Sequence, residues 1–346
     1  MAAKVRFGIV GSGFVARTHA EALRTIDDAE AVMISGGRNA GETAREYDLR
    51  HERDVERLLT ASEVDAVVIC SPHAYHAEQA ITALNAGKHV LVEKPMACSE
   101  DECLRMIAAA KTARRALMVA HFQRFRAPNA AVRAAIAAGR IGRVRTVQQR
   151  LLEAPNEKPW QLDPASKGFF LGYGVHGIDL LRWWLDSEVA TIYAKCSRFR
   201  DNPTEDGTQA VLHFTSGATG SILATDSLPV AKRNAAPGAA GLVSLIIGDA
   251  GVITVDSYDE ALLETRDGRE VIGKLPTWDS LTSPERIQAY REQDESFIRT
   301  IVDGTPVAIS GNEGMKNVVV ALGAYASSER GEAITIINRG EQDEQT

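Results

Sequence analysis

The sequence predicts an α/β protein of two domains, and three observations carry that expectation. Over residues 4–123, short β-branched runs alternate with helical patterns, as a doubly wound parallel sheet requires. Beyond Gly139 the runs lengthen, alternate apolar with polar residues and follow one another through short turns, as a large, mostly antiparallel open sheet would. At 346 residues the chain also exceeds the roughly 250 to 300 at which a single core stops growing. The expected division is an N-terminal domain over 1–123 and a C-terminal α+β domain over 124–346.

The first strand is read at Val5–Val10, and it runs through a glycine turn into a helix over Phe14–Ile26. Further buried strands are expected at Ala31–Ser35, Ala66–Cys70, His89–Glu93 and Leu117–Ala120, each separated from the next by a segment able to form a helix. An Ala-rich helix over Pro128–Ala138 stops at Gly139. The longer strands are expected at Val144–Glu153, Val189–Arg198, Gln209–Phe214, Gly220–Ser227, Val243–Ile247, Val252–Asp256 and Ala261–Thr265. Helices are expected at Val175–Leu185, Pro284–Val302 and Glu313–Ser328. Val230–Gly241, with its Ala, Gly and Pro, reads as a mobile loop, and the charged tail after Arg339 as frayed.

Composition excludes several classes. With 45% hydrophobic and 25% charged residues the chain is an ordinary globular one. A net charge of -7 gives no footprint for nucleic acid, and local basic patches such as Arg124 to Arg133 suit small anions or solvent. No apolar run approaches the roughly 18 to 20 residues of a membrane span, so no membrane partner is expected. The four cysteines, Cys70, Cys98, Cys103 and Cys196, form no CxxC pair, and Met-Ala-Ala-Lys opens the chain without an apolar signal region. A reduced, cytoplasmic protein without a metal site follows.

The first functional signal is Gly11-Ser-Gly13-Phe-Val-Ala16, which fits GxGxx(G/A) immediately after a strand and at the opening of a helix. Gly11 permits the tight turn, Gly13 lets the backbone approach a pyrophosphate, and Ala16 keeps helix and sheet close. The free N–H groups and positive dipole end of the helix then favour phosphate. The plainer reading is a glycine turn of any α/β protein. An NAD site normally carries an acid at the end of the second strand; here stands Ser35-Gly-Gly37-Arg38. A 2'-phosphate could use the Gly36 and Gly37 amides, the Ser35 hydroxyl and the Arg38 guanidinium, which favours NADP(H) with NAD(H) possible. The alternative leaves Arg38 solvated and NAD held through the backbone.

The second signal is Glu93-Lys94-Pro95, directly after Lys88-His-Val-Leu-Val92, which puts a lysine at the carboxyl edge of a buried strand. Pro95 restricts Lys94 to an extended backbone. These pieces, with Asp65 to Pro72 and His76, His19, Gly139-Arg-Ile-Gly142, Trp160, Asp163, and the stretch around His176 and Asp179, resemble the Gfo/Idh/MocA family over at least residues 5–185. The resemblance implies a Rossmann domain followed by a substrate and oligomerisation domain, hydride transfer to or from a small sugar-like substrate, and a homodimer or homotetramer. It implies Lys94 as the group that polarises the substrate oxygen and His176 as acid and base, imidazole being the side chain that ordinarily titrates nearest neutrality. Asp179, Trp160 and Tyr173 would bind substrate. Gly11, Gly13, Phe14, Val15, Ser35, Gly37, Arg38, Ser71, Pro72, His76, Glu93 and Lys94 would border the cofactor. A packed core residue at 176 and a plain surface histidine at 76 are the bland alternatives.

One departure stands out: Gly172 occupies the place of the family's aspartate, four residues before His176. With the proton relay altered, a redox-neutral glycoside-processing enzyme with a retained cofactor is an alternative, as is a noncatalytic dinucleotide-binding regulator.

Overall fold

The computed structural model describes residues 4–155, 159–228, 241–276 and 284–337, with the side chains of 159, 160 and 284–286 excepted. The loop expected at Val230–Gly241 falls, up to residue 240, outside the described residues, as does the tail after Arg339. By contacts the chain divides into one unit of residues 1–122 and 278–315 and another of 123–277 and 316–346.

The first unit holds β1 (Val5–Val10), α1 (Phe14–Arg24), β2 (Ala29–Ser35), α2 (Ala40–Glu46), β3 (Arg50–His51), α3 (Val55–Thr60), β4 (Ala66–Ile69), α4 (His76–Asn85), β5 (His89–Glu93), α5 (Glu100–Ala113) and β6 (Leu117–Ala120). All six strands are parallel, in the order β3-β2-β1-β4-β5-β6. That is the doubly wound Rossmann order, in which the order of strands across the sheet reverses between β1 and β4. Every residue of β4 and β6 is buried, which is why these strands read as unbroken apolar runs. Local chemistry sets the helix ends: Ser99 accepts the Glu102 N–H at 3.3 Å while the Glu102 carboxylate takes the Cys98 N–H at 2.9 Å, and Asp54 accepts the Glu56 N–H at 2.9 Å.

Cutting the sequence once at residue 123 assigns 278–315 to the second domain; the contacts group it with the first. The reason is the apolar stripe of the helix that begins at Pro284. Within it Phe297 is fully buried and meets Phe7 of β1 at 6.4 Å between ring centres, and the helix packs along α1. In chain order this helix is α9 (Pro284–Asp303), and α10 (Gly311–Arg330) is split between the units.

The second unit holds α6 (Ala127–Ala137), β7 (Val144–Leu152), α7 (Pro159–Leu162), α8 (Val175–Leu185), β8 (Val189–Ser197), β9 (Gly207–Phe214), β10 (Thr219–Thr225), β11 (Gly241–Gly248), β12 (Gly251–Asp256), β13 (Glu260–Thr265), β14 (Gly268–Lys274) and β15 (Ile334–Thr335). Nine strands form one sheet in the order β14-β13-β12-β11-β7-β10-β9-β8-β15; only β7 and β10 run parallel among these pairs. Alternate residues are buried: Ala210, Leu212 and Phe214 of β9 face inward while Gln209, Val211 and His213 face outward. Helices α6 and α8 pack together, and Trp184 of α8 is fully buried with its indole N–H on the Asn129 carbonyl at 3.0 Å. Sequence periodicity finds the long strands and passes over β3, β14 and β15. β14 (GREVIGK) is a mostly exposed edge strand with no apolar alternation to announce it, and the other two span two residues each.

Candidate functional site

Four strand ends of the first unit bring most of the expected cofactor residues to one edge of the parallel sheet. Gly11 has φ +108°, and a Cβ there would lie 2.6 Å from the Cys70 carbonyl oxygen, so the turn after β1 needs glycine. Its N–H is held by the Ser35 carbonyl at 2.8 Å. Gly13 is the N-cap of α1, is exposed, and would present a Cβ to open space within 4 Å. No side chain caps this helix start and no acid lies in its first turn. Open backbone N–H groups with a positive dipole end fit a pyrophosphate. Phe14, at 42% exposure, and the half-buried Val15 flank that opening.

After β2, Gly36 and Gly37 take φ +81° and +80°, and a Cβ at Gly37 would run into the Ser12 hydroxyl, which accepts the Asn39 N–H at 3.2 Å. Arg38 is exposed. The Ser35 side chain is fully buried, its hydroxyl without a hydrogen-bond partner, so Ser35 serves this edge through its carbonyl. After β4, Ser71 donates its hydroxyl hydrogen to Gln79 Oε1 at 2.6 Å beside the half-buried Pro72. His76 is only 1% exposed and therefore no surface histidine: its ring nitrogens lie 2.9 Å from the Pro95 carbonyl and 2.8 Å from the Ser71 carbonyl. Burial pushes its pKa below the ordinary value, against the pull of both carbonyls. The ring lies between the turn after β4 and the turn after β5, within hydrogen-bond distance of one carbonyl from each.

At the end of β5, Lys94 is half-buried, and its peptide bond to Pro95 is cis. Its backbone N–H donates to Glu93 Oε2 at 3.1 Å. Glu93, 6% exposed, points its other oxygen at His19 Nε2, 3.4 Å away, and His19 Nδ1 sits 2.9 Å from Asp294 Oδ2 on α9. Although burial opposes the charge, Asp294 and Glu93 raise the His19 pKa to about 10. Asp294 carried no signal in the sequence: it lies roughly 200 residues beyond Glu93, on a helix read only as a helix.

In the second unit the stretch around His176 is more than a helix start. Phe170–Gly174 forms a π-helical turn that runs into α8. Its leading N–H groups are taken by distant side chains: that of Phe170 by Glu205 Oε1 at 2.5 Å and that of Leu171 by the Tyr325 hydroxyl at 2.9 Å, which in turn donates to Glu205 Oε1 at 2.7 Å. Burial drives the Glu205 carboxyl up to about 8, ahead of the opposing hydrogen bonds. π-Turns concentrate at functional positions, and this one presents Tyr173, stacked on Phe169 at 5.1 Å and edge-on to His176 at 6.4 Å. His176 is 6% exposed at the first turn of α8.

Asp179, one turn further on, has no exposed surface. Arg124 grips both its oxygens, at 2.9 and 2.6 Å, and Asn317 adds a third donor at 2.8 Å. Arg124 also lies over the Trp183 ring, 5.6 Å from its centre. His176 and Asp179 share a helix face as their spacing requires, but the carboxylate is committed to Arg124, a residue the sequence offered only as part of a basic patch. Trp160 lies in α7; its side chain is outside the described residues. Among the described residues no group of three His, Cys, Asp or Glu could hold a metal ion, and no helix is long and apolar enough to cross a membrane.

Comparison with known proteins agrees with this fold. Residues 5–121 match the model of the Gfo/Idh/MocA oxidoreductase family, NAD-binding Rossmann fold, and residues 129–254 match that of the Gfo/Idh/MocA C-terminal domain. The chain is 28% identical to myo-inositol 2-dehydrogenase of Thermotoga maritima over 341 residues, 96% of this chain and 98% of the relative. It is 28% identical to inositol 2-dehydrogenase of Rhizobium meliloti over 340 residues, 96% and 99% of the two chains. Among solved structures, aldose-aldose oxidoreductase from Caulobacter crescentus shares the fold with a TM-score of 0.81 at 23% identity, over 96% of this chain and 99% of that one.

Proposed function

Because the chain belongs to the Gfo/Idh/MocA family and is an NAD(P)-dependent oxidoreductase acting on CH–OH groups, we propose that it exchanges a hydride between a nicotinamide dinucleotide and the carbinol or carbonyl carbon of a cyclitol, sugar or keto-sugar. The observation that carries this reading is Lys94, which follows β5 at the same carboxyl edge of the parallel sheet as the open glycine turn. The names of the two inositol dehydrogenases support the substrate class.

When bound, the nicotinamide supplies the hydride acceptor or donor. In this reading residues 1–122 hold the dinucleotide, and Trp160, Tyr173 and His176 of residues 123–277 serve the substrate. The Lys94 ammonium polarises the substrate oxygen and donates a hydrogen bond to it as charge builds there. His176 takes the hydroxyl proton on oxidation and returns it on reduction. Tyr173 and Trp160 offer aromatic faces to a ring substrate, and Asp179 contributes by fixing Arg124. With no acid at the end of β2, bare amides at Gly36 and Gly37 and an exposed Arg38, NADP(H) is preferred and NAD(H) accepted.

A panel of cyclitols, aldoses and keto-sugars with both cofactors tests the reading. We expect turnover of at least one member and tighter NADPH than NADH binding. Absence of hydride transfer to every member sinks the activity; tenfold tighter NADH, or NADPH affinity untouched by Arg38→Ala, sinks the preference.

We also assign the outward face of the nine-stranded sheet to a second copy of the chain. Tyr193 and Val211 there are 51% and 46% exposed beside Gln148, Arg150, Lys195 and Gln209. Light scattering at micromolar concentration should give a dimer or tetramer, and a monomer mass overturns the assignment. The cytoplasm is the compartment we assign, since none of the four cysteines forms a disulfide among the described residues.

A further inference from the structure

The cluster of His19, Glu93 and Asp294 brings three ionisable side chains from α1, β5 and α9 into one nearly solvent-free place. Both neighbours of the His19 ring are carboxylates, and carboxylates only accept, so both ring nitrogens carry hydrogens and the ring is an imidazolium. Its pKa of about 10 agrees with that protonation. Tyr290 closes the site from α9, edge-on to His19 at 5.3 Å and stacked on Phe122 at 4.4 Å. Joining α1 to α9 would need only His19 and Asp294. The third member reaches elsewhere: the second oxygen of Glu93 takes the backbone N–H of Lys94.

Burial raises the Asp294 pKa while His19 opposes that rise, and with both carboxylates ionised one cation between them leaves one buried negative charge beside the Lys94 backbone N–H. Besides Tyr290, titratable groups that face this place among the described residues are His76 from α4, whose pKa burial lowers, and Cys70 after β4, whose thiol is pushed up by burial and then by Glu93 and Asp294. Neither supplies a compensating cation when uncharged. The contact shown to Lys94 is its backbone N–H on the second Glu93 oxygen, which ties the lysine to that charge.

We propose that His19 and Asp294 are positioning residues for Lys94: the imidazolium clamps Glu93, and Glu93 fixes the Lys94 backbone and favours its ammonium form. This rests on the role of Lys94 argued above. An opposite charge at short range raises the pKa of an ammonium by about one to three units, so the clamp keeps the oxygen-polarising proton in place as pH rises. Asp294 and His19 themselves touch neither cofactor nor substrate in this account.

The test reads Lys94 directly, in the full-length protein without cofactor or substrate. Trace acylation with acetic anhydride across a pH series, followed by mass spectrometry of the Lys94 peptide, reports the pH at which its amine becomes free. Glu93→Gln and Asp294→Asn each remove one buried negative charge. Glu93→Gln should move the labelling midpoint down by about one unit, and Asp294→Asn should move it the same way by less, because its carboxylate is farther from Lys94. Circular dichroism identifies which variants fold, and either variant alone decides the matter. Midpoints within about 0.2 unit of wild type in the folded variants overturn the proposal and leave the cluster as a brace between helices. Lys94→Ala separates the two levels: full turnover in that variant defeats the catalytic reading, while the labelling midpoints still decide whether the cluster tunes the lysine.

Discussion

The two units build their candidate groups in opposite ways. In the parallel sheet each group follows a strand end directly: Gly11 and Gly13 after β1, Gly36 to Arg38 after β2, Ser71 after β4, Lys94 after β5. On α8 the groups depend on partners far along the chain, with Glu205 and Tyr325 holding the π-turn before His176, and Arg124 and Asn317 holding Asp179. A group that only needs its strand can be lost without disturbing its neighbours. A group embedded in a long-range network takes part of the fold with it.

The sharpest way to break that contrast is to remove the two groups assigned to chemistry. Losing a positioned acid, base or donor typically costs about 10²- to 10⁴-fold in rate, so Lys94→Ala and His176→Ala should each lower kcat within that range while NADPH affinity stays nearly constant. Melting temperature should fall only modestly for Lys94→Ala, because the side chain is half-buried at a strand end and what is lost is its attraction to the Glu93 charge. Equal turnover by wild type and His176→Ala would make His176 a packing residue.

Asp179 should behave in the other way. Arg124 has a side chain only 10% exposed, and Asp179→Ala strands that guanidinium in the interior. Breaking a buried pair from one side costs about 3–5 kcal/mol, measurable as a lower urea midpoint, and the double variant Arg124→Leu/Asp179→Leu should recover much of it. If Asp179→Ala instead unfolds like wild type and loses only substrate affinity, the carboxylate faces the substrate and Arg124 is incidental.

Legibility in the sequence follows the same divide. The glycine turn, the Glu93-Lys94-Pro95 corner and the buried strands could be read because a few adjacent residues carry the whole physical requirement: a positive φ at Gly11, a short buried run ending in a lysine. The nine-stranded sheet was legible through its alternation, except β14, which is edge and mostly exposed, and β15, which spans two residues. The π-turn, the Glu205–Tyr325 anchor, the Arg124–Asp179–Asn317 set and the His19–Asp294 pair were not legible. Each joins residues between 55 and 275 positions apart or depends on a backbone form that composition does not announce. Helical spacing put His176 and Asp179 on one helix, and both lie on α8, yet it could not say that Arg124 and Asn317 hold Asp179.

The gentlest comparison uses pH, because each unit holds one buried group displaced in the same direction for different reasons. Burial lifts the Glu205 carboxyl in the second unit from 4.5 to about 8, and two carboxylates lift His19 in the first from 6.5 to about 10. For Glu205 the folded protein binds a proton that the unfolded chain has released between those values, so stability falls as pH rises from 4.5 to 8 and is level beyond. His19 contributes fully below 6.5, and that contribution disappears as pH rises through about 10. The windows overlap only between 6.5 and 8. Urea unfolding at closely spaced pH should therefore show that Glu205→Gln, which mimics the neutral carboxyl, gains on wild type between pH 4.5 and 6.5, where His19→Gln runs parallel to it. Between pH 8 and 10 the roles exchange, and the deficit of His19→Gln narrows. One titrating group limits each slope to about 1.4 kcal/mol per pH unit, so the measurement asks for a change in slope more than for a large difference at any one pH. A Glu205→Gln curve parallel to wild type from pH 4.5 to 8 would put that carboxyl back at its ordinary value, and the anchor of the π-turn would then be an ion held by the Phe170 N–H and the Tyr325 hydroxyl.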